Sequence, residues 1–213
     1  MEIYLLRHGT TAWNKELKLQ GSTDIELDEE GIRLAKETGE ALEGVHFDAC
    51  YSSPLKRAVD TAKYVLDGRS LPIVEDYRLS EVNFGDWEGR DCSKTSTEIP
   101  PHATDRFFDL TKEPISTPNG ENVQQVLDRT NSFFKEIVND PENENKRILL
   151  SMHGASGRAL MHAVWQDNNF WHGSVPPNCS ITIIQIKNKQ VVSVKKDCVF
   201  YGEEVHDYYG AKK

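Results

Sequence analysis

Positive charge, cysteine and long apolar runs are all in short supply in this chain. Lys and Arg number 25 against 34 Asp and Glu, a formal net charge of −9 over 213 residues. Such a balance excludes a general binder of nucleic acid or anionic membrane, either of which calls for a basic field. It leaves room for a small anionic substrate held in a locally basic pocket. Strongly apolar stretches such as Ser180 to Ile186 fall far short of the roughly 20 residues a membrane helix needs. Between Met1 and the charge of Arg7 there is neither a secretory h-region nor a small-residue cleavage site, so a cytoplasmic location is expected. Cys50, Cys92, Cys179 and Cys198 are scattered, with no C-x-x-C pair, which excludes a disulfide framework and fits a reducing compartment. No set of His, Cys and Asp has convincing zinc spacing. Repeats and low-complexity runs are also missing. At roughly 100–200 residues per domain, residues 1–213 are expected to form one domain, long enough to bury about 70% of its unfolded surface.

What is present is an alternation of strand-like and helix-like segments, the mark of an α/β domain. Ile3–Leu6 reads as a short buried strand that stops at Arg7-His8-Gly9. Asp28 is placed to cap a helix running to about Glu43, with Ile32, Ala35, Gly39 and Leu42 along one face and Gly44 closing it. Phe47–Tyr51 is a second strand. Ser53 as N-cap and Pro54 at the first helical position then predict the start of a second helix, with Leu55, Ala58, Ala62 and Val65 as its apolar stripe. Residues 90–120 hold Pro100, Pro101, Pro114 and Pro118 among Ser, Thr and charges. They read as an irregular excursion over one edge, with a helical turn near Phe107-Phe108. Asn122–Val138 has a strong helical period, Arg147–Ser151 is a central strand ending at Met152-His153-Gly154, and a helix follows through Trp165. Ser180–Lys187 and Gln190–Lys196, joined by Asn188-Lys189, read as a hairpin. The last ten residues read as a loose tail.

Three strands therefore end in charged or imidazole groups: at Arg7-His8-Gly9, at Ser52-Ser53-Pro54 with Arg57 beyond, and at His153-Gly154. In open α/β sheets the ligand crevice lies beyond the carboxyl ends of the strands. Two permanent cations beside two imidazoles suit a dianion such as a phosphate monoester. A helix start at Ser53-Pro54 would add backbone N–H groups and the positive end of a dipole.

Four segments, in order, carry a resemblance. They are Leu6 to Asn14 (LRHGTTAWN) with Gln20-Gly21, then Ser52 to Ala62 (SSPLKRAVDTA), Leu79 to Gly89 (LSEVNFGDWEG), and His153-Gly154 with Arg158. Together they resemble the motifs of the histidine phosphatase (phosphoglycerate mutase-like) superfamily, over about three quarters of the chain. The resemblance implies that His8 is the nucleophile, forming a phosphohistidine, and that Arg7, Arg57 and His153 hold the equatorial oxygens, with Asn14 as a neutral donor. Gly21 and Gly154 belong to the same phosphate-binding set. Glu81 would protonate the leaving alkoxide and then activate water; read without the resemblance, Asp86 and Glu88 are equally ordinary loop acids. No metal and no cofactor are implied. His46, His102, His162, His172 and His206 have no comparable setting, and His172-Gly173 repeats the H-G pair without a preceding apolar strand. The tryptophans read as packing residues, with Trp13 and Trp87 candidates for the pocket wall.

The chain departs from the family pattern twice. Gly120-Glu121-Asn122 stands where many relatives read G-E-S, and Met152 where Ser or Thr is usual. The first leaves the cap intact but puts a pocket role in doubt; the second removes a hydroxyl beside His153. The sequence around Glu81, and the absence of adjacent arginines among Arg90, Lys94, Arg106 and Lys112, resemble the phosphatase branch more than the glycolytic mutases. The expected activity is hydrolysis of small phosphomonoesters. The alternatives are a phosphoglycerate-type mutase needing a bisphosphate primer, and a non-catalytic phospholigand sensor. The expected architecture is three layers, α/β/α, around a mostly parallel sheet with one antiparallel edge strand. The expected partner is a small-molecule substrate, with no nucleic acid or membrane, and a homodimer is left open.

Overall fold

The computed structural model describes residues 1–202; segment 203–213, which includes His206 and the expected tail, lies outside the described residues. In chain order the elements are β1 (Glu2–Arg7), α1 (Ala12–Lys15), α2 (Glu29–Ala41), β2 (Ala49–Ser52), α3 (Lys56–Val65), β3 (Ile73–Glu75), α4 (Ala103–Phe107), α5 (Val123–Asn139), β4 (Arg147–Met152), α6 (Gly154–Trp165), β5 (Ile181–Lys187) and β6 (Gln190–Cys198). The strands form one sheet in the order β3-β2-β4-β1-β5-β6. β3, β2, β4 and β1 run parallel, and β5 and β6 add an antiparallel hairpin at one side. Its two-residue turn uses Asn188 and Lys189, both at positive φ (50° and 62°), the backbone that matches a hairpin's twist.

Alternation along β1 divides the core. Ile3 and Leu5 face one cluster with Ile148, Leu150 and Met152 of β4, Phe133, Phe134 and Ile137 of α5, and Leu160 and Met161 of α6. Tyr4 and Leu6 face the other, with Leu34 and Ala35 of α2, Ala62 and Val65 of α3, and Leu149. Helices thus cover both faces of the sheet, as a mostly parallel sheet requires, and the three-layer α/β/α architecture follows.

Asp28 caps α2 through Gly31 N, and Asn122 caps α5 in a reciprocal box with Gln125. The buried stripe of α2 is Gly31, Leu34, Ala35 and Thr38, displaced from the expected one because the backbone of Gly31 packs against that of Thr10. The start of α3 differs from expectation. Helix begins at Lys56, after an extended Leu55; Ser53 Oγ serves Leu55 N instead, and Asp24 Oδ1 accepts from Lys56 N at 2.8 Å. The helix is therefore stopped off by a carboxylate from another loop, and its N-terminus offers no open anion site at Ser53-Pro54. β3 has no counterpart in the sequence reading. It is three residues long at the sheet edge, with Val74 half exposed, too short and too wet to show a period.

The excursion 90–120 is irregular but anchored. Its helical turn, α4, ends at Phe107, one residue short of the expected Phe107-Phe108 pair. Phe107 and Phe108 meet edge to face (centroids 4.8 Å), and Phe108 meets Phe170 and Trp171 at 4.6 and 4.8 Å. This aromatic cluster also takes in Phe84 and Trp87 and sits on Ala155 and Ala159 of α6, which ties the excursion to the first turns of the helix that follows His153.

Candidate active site

The backbone ladder continues past the ends of β1, β2 and β4. His8 N donates to Met152 O at 2.9 Å, and Ser53 N donates to Ser151 O at 2.9 Å. These bonds bring Arg7, His8, Ser53 and His153 to one point at the carboxyl edge, where the order of connections reverses. Arg7, His8, Asn14, Arg57, Glu81 and His153 are all buried.

His8 Nδ1 lies 2.6 Å from Gly9 O. A carbonyl only accepts, so Nδ1 carries the hydrogen and Nε2 keeps its lone pair. Burial, with Arg57 and Arg7 nearby, holds the His8 imidazole well below the ordinary histidine range. His8 is a neutral ring with a bare Nε2. The His153 ring lies 5.1 Å away, centroid to centroid, and is kept neutral by burial and then by Arg57, His8, Arg129 and Arg7. Its Nε2 is 2.8 Å from Ser53 Oγ.

The arginines are aimed by neutral acceptors. Arg57 Nη1 donates to Thr23 O at 2.9 Å and Nη2 to Gly21 O at 2.6 Å, while Arg7 Nη1 donates to Pro176 O. Gly154, the first residue of α6, packs against the Arg7 guanidinium; a Cβ there would lie 3.6 Å from its Nε. Asn14 Oδ1 accepts from Thr11 N at 3.1 Å, so the one-turn α1 is what orients this amide.

Glu81 differs from the other two loop acids in position. Its Oε1 accepts from Val82 N (2.9 Å) and Ser156 N (2.8 Å), and its Oε2 accepts from Ala155 N (3.0 Å). The open helix end at this site is thus that of α6, and Glu81 occupies it. Glu88 instead braces a loop: it accepts from the N–H groups of Ser22, Thr23 and Phe84 and from the Ser22 and Thr23 hydroxyls. Asp86 pairs with Asn119.

Other expected features sit elsewhere. His172 stacks on Trp165 and bonds to Asp167, at the far end of α6, about 18 Å of helix from His153 at 1.5 Å per residue. Trp87 lies in the core under the excursion, and Trp13 packs beneath Gly89. Met152 packs in the core cluster with Phe133, Phe134 and Leu160, and His153 takes its side-chain hydrogen bond from Ser53 instead. Arg158 pairs with Asp197 at 2.6 Å and donates to Ser174 O, bracing the loop before β5.

Sequence reasoning missed Ser53 as a partner of His153, Thr61, whose Oγ1 accepts from Gly9 N, and Asn178, whose amide holds the His8 and Gly9 carbonyls. No spacing marks Asn178; its partners are some 170 positions away. Among the described residues no group of three or more His, Cys, Asp or Glu could hold a metal ion, and no helix is long and apolar enough to cross a membrane.

A neutral histidine beside two arginines, with a second histidine and an acid at the carboxyl edge of the parallel strands, is an arrangement suited to phosphoryl transfer. The profile of the histidine phosphatase superfamily (branch 1) matches residues 3–198, and the chain belongs to that family. It is 35% identical over 159 residues to the uncharacterized phosphatase PhoE of Bacillus subtilis, covering 75% of each chain. It is 32% identical over 189 residues to a 2,3-bisphosphoglycerate-dependent phosphoglycerate mutase of Treponema denticola, covering 76% of each. The α-ribazole phosphatase of Shigella flexneri superposes with a TM-score of 0.81 at 26% identity, covering 96% of this chain and 100% of that one.

Proposed function

We propose that the protein hydrolyses small phosphate monoesters through a phosphohistidine on His8, with no metal taking part. One observation carries the reading: the His8 Nδ1–Gly9 O hydrogen bond, which leaves a bare, neutral Nε2 beside two buried guanidinium groups. In the first step the Nε2 lone pair attacks phosphorus, the P–O ester bond breaks, and its electron pair leaves with the alkoxide, which takes a proton from Glu81. Glu81 Oε2, with a single N–H partner, is the oxygen with room for that proton. In the second step Glu81 takes a proton from water as its oxygen attacks phosphorus. The P–N bond then breaks, its electrons return to Nε2, and inorganic phosphate departs. Arg7, Arg57 and His153 stabilise the equatorial oxygens and Asn14 donates to them, so positioning and charge do most of the work.

Hydrolysis is favoured over mutation by the excursion. Arg90 donates to Glu98 O, Arg106 to Glu113 O, and Lys112 pairs with Asp109; each is engaged with the excursion itself, and no two of them are adjacent in sequence. The mutase reading draws on the names of relatives such as the Treponema enzyme. It requires a phosphorylated His8 that resists water, a bisphosphate primer, and little free phosphate.

The test is release of inorganic phosphate from a panel of phosphorylated metabolites and one aryl phosphate, in EDTA, comparing wild type with His8→Ala. Release that persists in EDTA and vanishes in His8→Ala supports the phosphatase. Isomerisation of phosphoglycerate that depends on a bisphosphate, without phosphate release, supports the mutase. Release that persists in His8→Ala refutes the nucleophile.

A further inference from the structure

Gly120-Glu121-Asn122 has no part in the chemistry above, and Asn122 is spent on capping α5. Glu121 faces Arg129, one side of whose guanidinium it occupies: Nε to Oε1 at 2.9 Å and Nη2 to Oε2 at 3.1 Å. The remaining N–H groups of Arg129 all go to one short segment. Nη1 donates to Arg78 O (2.9 Å) and Ser80 O (2.6 Å), and Nη2 donates to Glu81 O (3.0 Å). Every donor of the side chain is used. Glu121 holds the same segment from its other end. Its Oε2 accepts from Asn83 N at 2.8 Å, and its backbone N donates to Asn83 O at 2.8 Å.

The pair is largely buried, with side chains 12% and 22% exposed. Burying two charges is an unpromising way to gain stability, since an apolar pair of similar volume commonly does as well. What an apolar pair cannot do is hold three carbonyls and an N–H in a fixed arrangement around one residue. That residue is Glu81. We infer that Arg129 and Glu121 are positioning residues for the acid: together they fix the backbone from Arg78 to Asn83, so that the Glu81 carboxyl meets both the α6 N-terminus and the leaving oxygen. Resting on the hydrolytic reading of the site, this assigns a part to the Gly120-Glu121-Asn122 motif through its middle residue.

A misplaced acid has a particular signature. A poor leaving group, an alkoxide, needs its proton as the P–O bond breaks; an acidic phenol does not. Formation of phosphohistidine in a single turnover is therefore compared for an alkyl phosphate and for 4-nitrophenyl phosphate, in wild type, Arg129→Gln, Glu81→Gln and the double variant. General acid catalysis is worth about 10²–10⁴ in rate. Arg129→Gln is expected to slow alkyl phosphate by about 10²-fold and 4-nitrophenyl phosphate by less than about tenfold. In the Glu81→Gln background the same change is expected to add almost nothing, because residues acting through one group are not additive.

A loss in Arg129→Gln that is equal for both leaving groups, or that multiplies with the loss in Glu81→Gln, overturns the assignment and makes Arg129 a structural residue only. Should Arg129→Gln melt below the assay temperature, Glu121→Gln keeps the side-chain shape and an acceptor for Asn83 N and carries the same comparison. Wild type that forms no phosphohistidine with either ester would refute the hydrolytic reading itself, an outcome distinct from both of these.

Discussion

Ser53 Oγ lies 2.8 Å from Nε2 of His153, and it also accepts from Leu55 N at 3.2 Å. Among the described residues His153 Nε2 is the one acceptor within reach of the Ser53 hydroxyl hydrogen, so the satisfied arrangement has Ser53 donating to Nε2 and His153 carrying its hydrogen on Nδ1. Ser53 thereby sets the tautomer of the second histidine.

Ser53→Ala should leave that buried ring nitrogen without a donor, at a cost of about 1–3 kcal/mol. Expressed in turnover, a loss of about tenfold or more in kcat is expected for roughly 1.4 kcal/mol, with phosphohistidine still forming on His8. Steady-state rates and acid-quenched labelling check this; an unchanged kcat would show that Ser53 does not govern His153.

Acid should weaken the fold through the same two rings. His8 and His153 are held neutral well below the ordinary value of 6.5, so below that pH the unfolded chain binds protons that the folded chain refuses. Stability therefore falls as pH drops from about 6.5 toward the depressed folded values. Thermal melts between pH 8 and 5, in wild type and in His8→Asn, are expected to show a shallower acid slope in the variant. Inorganic phosphate, whose charge opposes that of the arginines, should flatten the slope in wild type.

Glu88 acts at a distance on Arg57. It ties Ser22 and Thr23 to Phe84, and it is the carbonyls of Gly21 and Thr23 that aim the Arg57 guanidinium. Glu88→Ala is expected to weaken inorganic phosphate binding by about tenfold, some 1.4 kcal/mol, measured by titration calorimetry. Retained affinity would mean that Arg57 is aimed without this loop.

Gly21 is needed for room. A Cβ there would lie 2.3 Å from Glu88 Oε1 and 2.4 Å from Val82 O, the second a backbone atom that cannot swing aside. Gly21→Ala is expected to cost about 1–3 kcal/mol as overpacking and to raise KM by displacing the Arg57 acceptors. Denaturant melts and kinetics on one preparation read both effects.

Much of the site was legible because its chemistry sits on local features: a strand that ends in Arg7-His8, another that ends in His153, and helices such as α5 whose period and cap declare themselves. What was illegible depends on partners far apart in sequence. The start of α3 was misplaced because Asp24, 32 positions earlier, accepts from Lys56 N, and no local rule could weigh that against a well-formed Ser-Pro start. Glu81 could be told from Glu88 only by resemblance until the α6 N-terminus was seen to meet it. Asn178 and Arg129 look like ordinary polar residues in sequence, since their significance lies wholly in which carbonyls they reach. β3 went unseen because three half-wet residues carry no period.

β1 and β4 lie in the interior of the sheet, each paired on both sides, and the amide of His8, the proposed nucleophile, donates to Met152 O. His8 is therefore fastened to the part of the molecule that opens last. In heavy water the His8 amide should exchange at the pace of whole-molecule unfolding, while amides of the proline-rich excursion exchange far sooner. Heredity meets the same division as the solvent does. Insertions and replacements in the excursion can change that edge of the molecule without disturbing the interior strands that carry His8 and His153.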